Sequence, residues 1–217
     1  MHTQIDIHSL QEQVRGLSPA DALVLLGDLF PGKVTFSTSL GQEDQVITQM
    51  IAQSKAQVSI FSLDTGRLFS ETLDLLARTE SKYKLRIKVL YPERPSVENL
   101  VANIGINGFY ESVENRKMCC YVRKVEPLKR ALKGQQVWVT GLRAEQSANR
   151  AGMEKIEWDE ANQIIKFNPL LDWSYDEMIA YIQNHQIPYN PLHDKGFISI
   201  GCAPCTRAIL PGEDARA

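Results

Sequence analysis

The feature that most constrains this fold is an alternation of short apolar segments with amphipathic segments. The short segments have the length and residue types of buried strands, and the others carry apolar residues at helical spacing, as at Val46, Ile47, Met50 and Ile51. The predicted strands are 34–36, 58–63, 85–90 and 137–140, and the predicted helices are 20–30, 42–54, 68–78, 122–132 and 174–184. Strands that alternate with helices favour an α/β fold, a doubly wound, mostly parallel sheet covered on both faces.

Two of the predicted helices carry clear start signals. Ser18 precedes Pro19, which suits an N-cap followed by proline at the first helical position. Ser174 is followed three residues later by Glu177, the spacing of a capping box. These signals predict where both helices begin.

Length and composition limit the classes of protein that fit. The chain has 217 residues, which predicts a single domain over 1–217 with a helical segment at 1–30. Its net charge of -2 gives no basic field for nucleic acid, and no apolar run is long enough to span a membrane. The N-terminus lacks the basic and apolar regions of a secretion signal, so we expect a cytoplasmic protein.

The first predicted strand ends in small hydroxyl residues and a glycine. Ser37, Thr38, Ser39 and Gly41 stand between this strand and a helix. In a doubly wound sheet the ligand binds at the carboxyl ends of the strands, where backbone N–H groups and a helix N-terminus can hold an anion. The segment has neither a Walker nor a GxGxxG pattern, and an ordinary capped turn explains it equally well.

Two further strand ends carry polar residues of the same kind. The second strand is followed by Asp64, Thr65, Gly66 and Arg67, where the carboxylate can accept from a ribose or form an Asx-turn. The loop after the fourth strand holds Arg143 and Arg150, and two guanidinium groups suit a phosphate or a sulfate. Surface arginines are common, but three such strand ends in one small sheet together favour an anionic ligand.

The four cysteines of the chain form two pairs about eighty residues apart in sequence. Cys119 and Cys120 are adjacent, and Cys202 and Cys205 form a CxxC motif. Four thiolates suit zinc or a [4Fe–4S] cluster. Adjacent cysteines are an awkward clamp for one zinc ion, whereas a cluster offers separate iron vertices; a thioredoxin-like dithiol is the other interpretation of the CxxC.

A run of basic residues surrounds the first cysteine pair, from Arg116 to Lys133. A solvated helix face explains most of these charges. Lys124, however, follows Cys120 by four residues, which is one helical turn. We therefore expect Lys124 to face both an anionic cluster and an anionic substrate.

These motifs together resemble the sulfonucleotide reductases. The residues that carry the resemblance are Ser37-Thr38-Ser39-Leu40-Gly41, Leu63-Asp64-Thr65-Gly66, Lys117-Met118-Cys119-Cys120 with Arg123-Lys124, Gly141-Leu142-Arg143-Ala144-Glu145-Gln146-Ser147 and Ile200-Gly201-Cys202-Ala203-Pro204-Cys205-Thr206-Arg207. The chain looks most like the iron–sulfur branch that reduces adenylyl sulfate. The resemblance implies a Rossmann-like sheet of the adenine nucleotide alpha hydrolase type, found in the ATP pyrophosphatase (PP-loop) superfamily.

The resemblance also implies an activity and its partners. A cysteine thiolate attacks the sulfur of adenylyl sulfate and displaces AMP, and thioredoxin or glutaredoxin then releases sulfite from the S-sulfocysteine. Cys119, Cys120, Cys202 and Cys205 would hold a [4Fe–4S] cluster that tunes the electrostatics near the substrate rather than passing electrons. The residues expected to bind the substrate are Ser37, Thr38, Ser39, Gly41, Asp64, Thr65, Gly66, Arg67, Lys124, Arg143, Arg150 and Arg216. A homo-oligomer is compatible with the sequence.

One departure concerns the nucleophile. The family carries it in a C-terminal Glu-Cys-Gly-Leu-His tail, whereas this chain ends with Gly212-Glu213-Asp214-Ala215-Arg216-Ala217 and has no fifth cysteine. We therefore expect the catalytic tail to be absent from this chain. The rival interpretations are an ATP-dependent adenylating enzyme of the same superfamily, a phosphoadenylyl-sulfate reductase, and a zinc- or cluster-stabilised nucleotide-binding module without chemistry.

Overall fold

The protein is built around a mixed sheet. The computed structural model describes residues 6–146 and 152–209. Its strands are β1 (Val34–Thr38), β2 (Ser59–Leu63), β3 (Lys88–Leu90), β4 (Val137–Val139), β5 (Ile156–Asp159) and β6 (Ile164–Phe167). They form a six-stranded sheet in the order β3-β2-β1-β4-β6-β5, parallel throughout except for the β5–β6 pair. The predicted α/β fold with a doubly wound, mostly parallel sheet is confirmed.

The helices cover the sheet and match most of the predicted segments. They are α1 (Ile7–Val14), α2 (Pro19–Leu29), α3 (Gln42–Ser54), α4 (Ser70–Tyr83), α5 (Arg94–Ile104), α6 (Val113–Cys120), α7 (Glu126–Leu132) and α8 (Tyr175–Asn184). Both predicted start signals are present, because Ser18 accepts from the backbone of Asp21 and Ser174 forms the complete capping box with Glu177.

The sequence analysis missed α5 and the hairpin of β5 and β6, whereas α1 lies in the helical segment predicted at 1–30. Lys166 Nζ lies 3.0 Å from Glu157 Oε1 across this hairpin, and Trp158 is exposed at the edge of the sheet. Charged and exposed residues on one face interrupt the apolar run that identified the other strands. The buried pair Ile164 and Ile165, with buried Phe167 two residues later, was the signal that could have found β6.

The core lies on both faces of the parallel strands. Phe36 of β1, Val139 of β4 and Phe167 of β6 are buried almost completely, and Leu23 and Leu26 of α2 pack into the same cluster. Burying each such side chain stabilises the fold by about 1.5–3 kcal/mol. This packing fixes the strand ends from which the candidate site is built.

The helix that carries the first cysteine pair is irregular. The predicted helix 122–132 begins earlier, at Val113, and a π-helical stretch, Tyr121–Val125, joins α6 to α7. In this stretch the Glu126 N–H donates to the carbonyl of Tyr121, five residues back. Pro127 has no N–H, and in a regular helix its ring would clash with the carbonyl four residues earlier, that of Arg123. The wider turn accommodates the proline, and such turns are frequent at functional sites.

The order of the strands reverses between β1 and β4. Strand β1 lies between β2 and β4, so the chain winds outward in both directions from the β1–β4 boundary. A crevice forms at the carboxyl ends of such a pair, and ligands of open α/β sheets bind there. The loops after these two strands are two of the three that were predicted to hold an anion. Within the described ranges, no helix has the length and apolar character needed to cross a bilayer.

Candidate active site

All four cysteines line one pocket. Cys119 and Cys120 reach it from the end of α6, and Cys202 and Cys205 reach it from the segment after α8. Arg67, Phe109, Arg116, Arg123, Lys124 and Pro204 complete its wall. The four cysteines are free thiols, and Cys202 is buried. The predicted meeting of the two distant pairs is thus present in the fold.

Cys202 is held by the turn after β2. It forms an isolated antiparallel bridge with Leu68, and its Sγ lies 3.2 Å from the hydroxyl of Thr65. The Ala203 N–H donates to the carbonyl of Arg67 at 2.8 Å. The Leu-Asp-Thr-Gly turn therefore positions the second cysteine pair as well as one edge of the substrate crevice.

Further contacts hold the CxxC segment from the other side. Tyr110 Oη donates to the carbonyl of Pro204 at 2.5 Å. Arg67 donates to the carbonyl of Ile106 and to Asn107 Oδ1, and its guanidinium lies 5.0 Å from the centre of the Phe109 ring. The Arg67 side chain is thus engaged with the turn at 106–110, and its direct contact with substrate stays a prediction.

The CxxC does not open a helix. Cys205 closes a single 3-10 turn, Ala203–Cys205, and Thr206 after it is extended. Burial is the largest cause that raises the pKa of the Cys205 thiol; the thiols of Cys202, Cys120 and Cys119 raise it further, while Arg116 lowers it. Reactive CxxC thiols have lowered pKa values, often at a helix N-terminus, so this geometry does not favour the thioredoxin-like interpretation.

Four thiols that line one pocket suit zinc or an iron–sulfur cluster. A tetrahedral zinc site with bonds of about 2.3 Å requires thiolates within about 4 Å of one another. A [4Fe–4S] cluster instead binds each thiolate at a different iron atom, which suits the adjacent pair Cys119 and Cys120. The cluster stays a prediction.

Two basic residues of the π-helical stretch differ in their roles. Arg123 is buried, and its Nη1 donates to the carbonyl of Thr65 at 2.6 Å, so it braces the turn after β2. Lys124 makes no hydrogen bond or ion pair with the described residues, and its Nζ lies beside Gly201. An ammonium group without a protein partner in a pocket of thiols is available to an anionic ligand.

Several hydrogen-bonding groups of the loop after β1 are already bonded to other groups of the protein. Trp138 Nε1 donates to Ser37 Oγ at 2.8 Å, and the Leu40 N–H donates to Thr38 Oγ1 at 3.0 Å. The Ser39 N–H and hydroxyl both donate to Asp44. The hydroxyls of Ser37 and Thr38 act as acceptors in these bonds, the Gly41 N–H is bonded only at 3.4 Å, and the first turn of α3 adds further N–H groups.

The turn after β2 is an Asx-turn, one of the two predicted interpretations. The Gly66 N–H donates to Asp64 Oδ1 at 2.8 Å, and Gly66 has a φ of 69°. A side chain at Gly66 would also come 3.4 Å from Arg123 Nη1, so both the turn and the packing favour glycine. The predicted contact of Asp64 with a ribose stays a prediction.

Arg143 of the loop after β4 is buried in ion pairs. Its Nε lies 3.0 Å from Glu43 Oε1, and its Nη1 lies 2.8 Å from Glu145 Oε2. Both carboxylates already neutralise the guanidinium. An anion that contacts Arg143 as predicted would therefore share this guanidinium with Glu43 and Glu145. Sequence reasoning missed Glu43 because it precedes Arg143 by a hundred residues. Arg150, Arg216 and Ser147 lie outside the described residues.

Asp44 is the most perturbed acid near the crevice. Burial, the largest cause, raises its pKa from 3.8 to about 7, against the lowering effect of the hydrogen bonds from Ser39. Nearby Glu43 raises the pKa slightly further. Sequence reasoning missed this residue too, since an acid in the first turn of a helix is normally explained by the helix dipole.

We expect the raised pKa of Asp44 to make folding stability depend on pH. The protonated form is favoured in the folded state, so its contribution is complete below pH 3.8 and is lost as the pH rises to about 7. The shift corresponds to a loss of about 4 kcal/mol. In urea unfolding at pH 4 to 8, the unfolding free energy of the wild type minus that of Asp44→Asn should fall as the pH rises, because only the wild type titrates at this position. A constant difference would contradict the assignment.

His193, near the second cysteine pair in sequence, is half-buried. It lies in a short 3-10 turn, and its Nδ1 is 2.7 Å from the carbonyl of Phe197, so the ring donates there. Burial is the largest cause that lowers its pKa. The buried Nε2 has no hydrogen-bond partner in the described residues. Burial thus favours the neutral form of the His193 ring.

Comparison with known sequences decides the family. The profile described as the phosphoadenosine phosphosulfate reductase domain matches residues 33–208. The chain belongs to this family. An adenosine 5'-phosphosulfate reductase from Allochromatium vinosum is 54% identical over 184 residues, 85% of this chain and 72% of the relative. One from Sinorhizobium fredii is 48% identical over 214 residues, 99% of this chain and 85% of the relative.

The fold of this reductase-family chain also has a solved counterpart. The phosphoadenylyl-sulfate reductase of Candida auris, solved as a phosphate complex, has a TM-score of 0.80 and 29% identity, and the match covers 95% of this chain and 98% of that one. The predicted resemblance to sulfonucleotide reductases is confirmed. The matched range includes every described site residue from Ser37 to Cys205.

Proposed function

We propose that this protein is an adenylyl-sulfate reductase, which reduces adenosine 5'-phosphosulfate to sulfite and AMP in sulfate assimilation. The names of the relatives at 54% and 48% identity carry this proposal. The pocket that gathers Cys119, Cys120, Cys202 and Cys205 beside the crevice supports it, because paired thiols next to an anion-binding sheet edge suit this chemistry. The proposed location is the cytoplasm, where thiols stay reduced.

Different residues of the chain would bind different parts of the nucleotide. The crevice between β1 and β4 would take the nucleotide, with the first turn of α3 and the loop at 37–41 near its phosphate. Lys124 would pair with the phosphosulfate from the cysteine pocket, while Arg123 fixes the turn at Asp64 to Arg67. A [4Fe–4S] cluster on the four cysteines would supply a local electrostatic field.

The proposed reaction has two steps, and each conserves atoms and electrons. A thiolate attacks the sulfur of adenylyl sulfate; the new S–S bond replaces the S–O bond, and AMP leaves. Two thiols of thioredoxin or glutaredoxin then reduce the S-sulfocysteine, which releases sulfite and leaves a disulfide on the partner. The proposed cluster occupies the four cysteines of this chain, so the attacking thiolate must come from elsewhere.

The ligand is tested by calorimetric titration of anaerobically purified protein with adenylyl sulfate. We expect Lys124→Ala to weaken binding by about 1.5–3 kcal/mol, a rise in Kd of roughly 10- to 150-fold, because a hydrogen bond to a charged group is lost. Lys133→Ala is the matched control, since Lys133 is exposed at the end of the same helical run. Equal affinities of wild type and Lys124→Ala would contradict the role of Lys124.

Phosphoadenylyl sulfate serves as the competing ligand in the same titration. The resemblance to the iron–sulfur branch favours the nucleotide without a 3'-phosphate, whereas the Candida auris structure bears the name of a phosphoadenylyl-sulfate reductase. Tighter binding of phosphoadenylyl sulfate would reassign the substrate, and binding of neither nucleotide would reject both reductase assignments. Release of pyrophosphate from ATP would instead indicate an adenylating enzyme.

A further inference from the structure

Two acidic residues at the start of α3 contact both loops of the crevice. Asp44 is buried, and its Oδ2 accepts from the Ser39 N–H at 2.6 Å and from the Ser39 hydroxyl at 2.7 Å. Glu43 Oε1 accepts from Arg143 Nε at 3.0 Å and from Gln146 Nε2 at 2.7 Å. The first set of bonds holds the loop after β1, and the second holds the loop after β4.

The two loops also meet at a glycine. A Cβ atom built on Gly141 would lie 2.1 Å from Asp44 Oδ1 and 3.3 Å from the Cβ of Glu43. The backbone after β4 therefore packs directly against the acid that holds the loop after β1. A side chain at position 141 would displace Asp44 or move the backbone of the loop.

The conformation held by these contacts is not one that the loop would adopt freely. Leu40 has a φ of 63°, in the left-handed region that a branched side chain rarely occupies. Its N–H is bonded to Thr38 Oγ1, and the neighbouring Ser39 is fixed by Asp44. Such backbone strain persists where the surroundings determine the conformation, and it is concentrated at ligand-binding segments.

A favourable interaction of the two acids with the helix dipole does not by itself account for these contacts. Glu43 and Asp44 would interact favourably with the N-terminus of α3 from any exposed orientation. That effect requires neither the burial of Asp44 nor bonds to two loops that are a hundred residues apart in sequence. The specific contacts indicate that the acids set the geometry of the crevice.

We propose that Glu43 and Asp44 form a carboxylate clasp that ties the loop after β1 to the loop after β4 and positions both for the nucleotide. This inference rests on the proposed function, because the positioned crevice is the proposed site of adenylyl sulfate. Glu43 and Asp44 are positioning residues: they act through Ser39, Arg143, Gln146 and the backbone at Gly141. When the clasp is broken, the loops must be ordered as the nucleotide binds, and this ordering weakens binding.

The test is calorimetric titration with adenylyl sulfate, combined with urea unfolding of each variant. Asp44→Ala removes the acceptor of both Ser39 bonds, and Glu43→Gln removes the charge that pairs with buried Arg143. Each is expected to raise the Kd about tenfold or more, because the freed loops must be ordered on binding. Asp44→Asn retains one acceptor for Ser39 and should recover part of the affinity. Asp28→Asn is the control, an exposed acid on α2 that should leave the Kd unchanged. A purely structural role would lower unfolding free energy without this graded effect on the Kd of folded protein.

A double-mutant cycle between Gly141 and Asp44 isolates the contact itself. Gly141→Ala should raise the Kd strongly in the wild-type background and much less in the Asp44→Ala background, where the clashing carboxylate is gone. If the fold-increases in Kd of the two single variants simply multiply in the double variant, the clasp is overturned. Kd values within about twofold of wild type for Asp44→Ala and Glu43→Gln would also overturn it. If Asp44→Ala does not fold, Glu43→Gln and Gly141→Ala decide the question. In each of these failures the wild type still binds adenylyl sulfate, whereas failure of the wild type to bind rejects the proposed function.

Discussion

Replacing Cys202 with serine is expected to abolish assembly of the proposed iron–sulfur cluster. Cys202 is the buried member of the four cysteines, and it is fixed by the bridge to Leu68 and the contact with Thr65. A serine hydroxyl is a poor ligand for the soft iron site that a thiolate occupies. Anaerobically purified wild type should contain about four iron and four sulfide per chain and absorb broadly in the visible range, whereas Cys202→Ser should contain neither.

The control for this prediction is Met118→Leu, which alters the exposed residue beside Cys119 and leaves all four thiols in place. Its iron and sulfide content should equal that of the wild type. Wild-type iron in Cys202→Ser would remove Cys202 from the ligand set. One zinc per chain and no sulfide in the wild type would replace the cluster with the zinc-stabilised alternative.

The fold was predictable from periodicity wherever burial is uniform. Helix α3 has the predicted bounds because its apolar residues follow helical spacing. Strand β1 was recognised because it is buried on both faces, although it extends two residues further than predicted. The β5–β6 hairpin was missed because the Lys166–Glu157 pair and exposed Trp158 interrupt its pattern. Sequence periodicity therefore identified β1 to β4, including the edge strand β3, but not the hairpin at the other end of the sheet.

The chemistry of the candidate site was predictable from the sequence, but the contacts between its residues were less so. The cysteine motifs predicted a common pocket, because thiols are uncommon and occur here in two pairs. The roles of the basic residues required the structure. Arg123 and Lys124 are neighbours in sequence and both line the pocket, yet Arg123 is bonded to the carbonyl of Thr65, whereas Lys124 makes no such bond within the described residues. Both residues lie in the π-helical turn before Pro127, and no simple periodicity describes such a turn.

The contacts around α3 could not have been found in the sequence. Glu43 pairs with Arg143, and Asp44 abuts Gly141, across about a hundred residues of chain. Only the parallel pairing of β1 with β4 brings these positions together. A resemblance to a family can identify a loop as substrate-binding. Which side chains hold that loop in its conformation depends on tertiary packing, and the carboxylate clasp was inferred from that packing.

A polypeptide of these 217 residues is expected to bind adenylyl sulfate without releasing sulfite in the presence of thioredoxin. The attacking atom in the proposed reaction is a thiolate, since a thiol is far less nucleophilic. The sequence contains four cysteines, and all four line the proposed cluster pocket. Sulfurs bound to iron cannot attack the substrate without dismantling the site, so turnover should stay at the background rate. Sulfite release is measured with adenylyl sulfate and reduced thioredoxin under anaerobic conditions.

Two further measurements separate a missing nucleophile from a damaged site. Appending a tail that ends in Glu-Cys-Gly-Leu-His should restore sulfite release, while the same tail with serine in place of its cysteine should not. Nucleotide affinity and iron content should be similar in all three proteins, because the tail adds the thiolate rather than the pocket. Steady sulfite release by the 217-residue chain would refute the prediction. An S-sulfonate found by mass spectrometry on Cys119, Cys120, Cys202 or Cys205 would also overturn the ligand assignment, because that sulfur would have to be free.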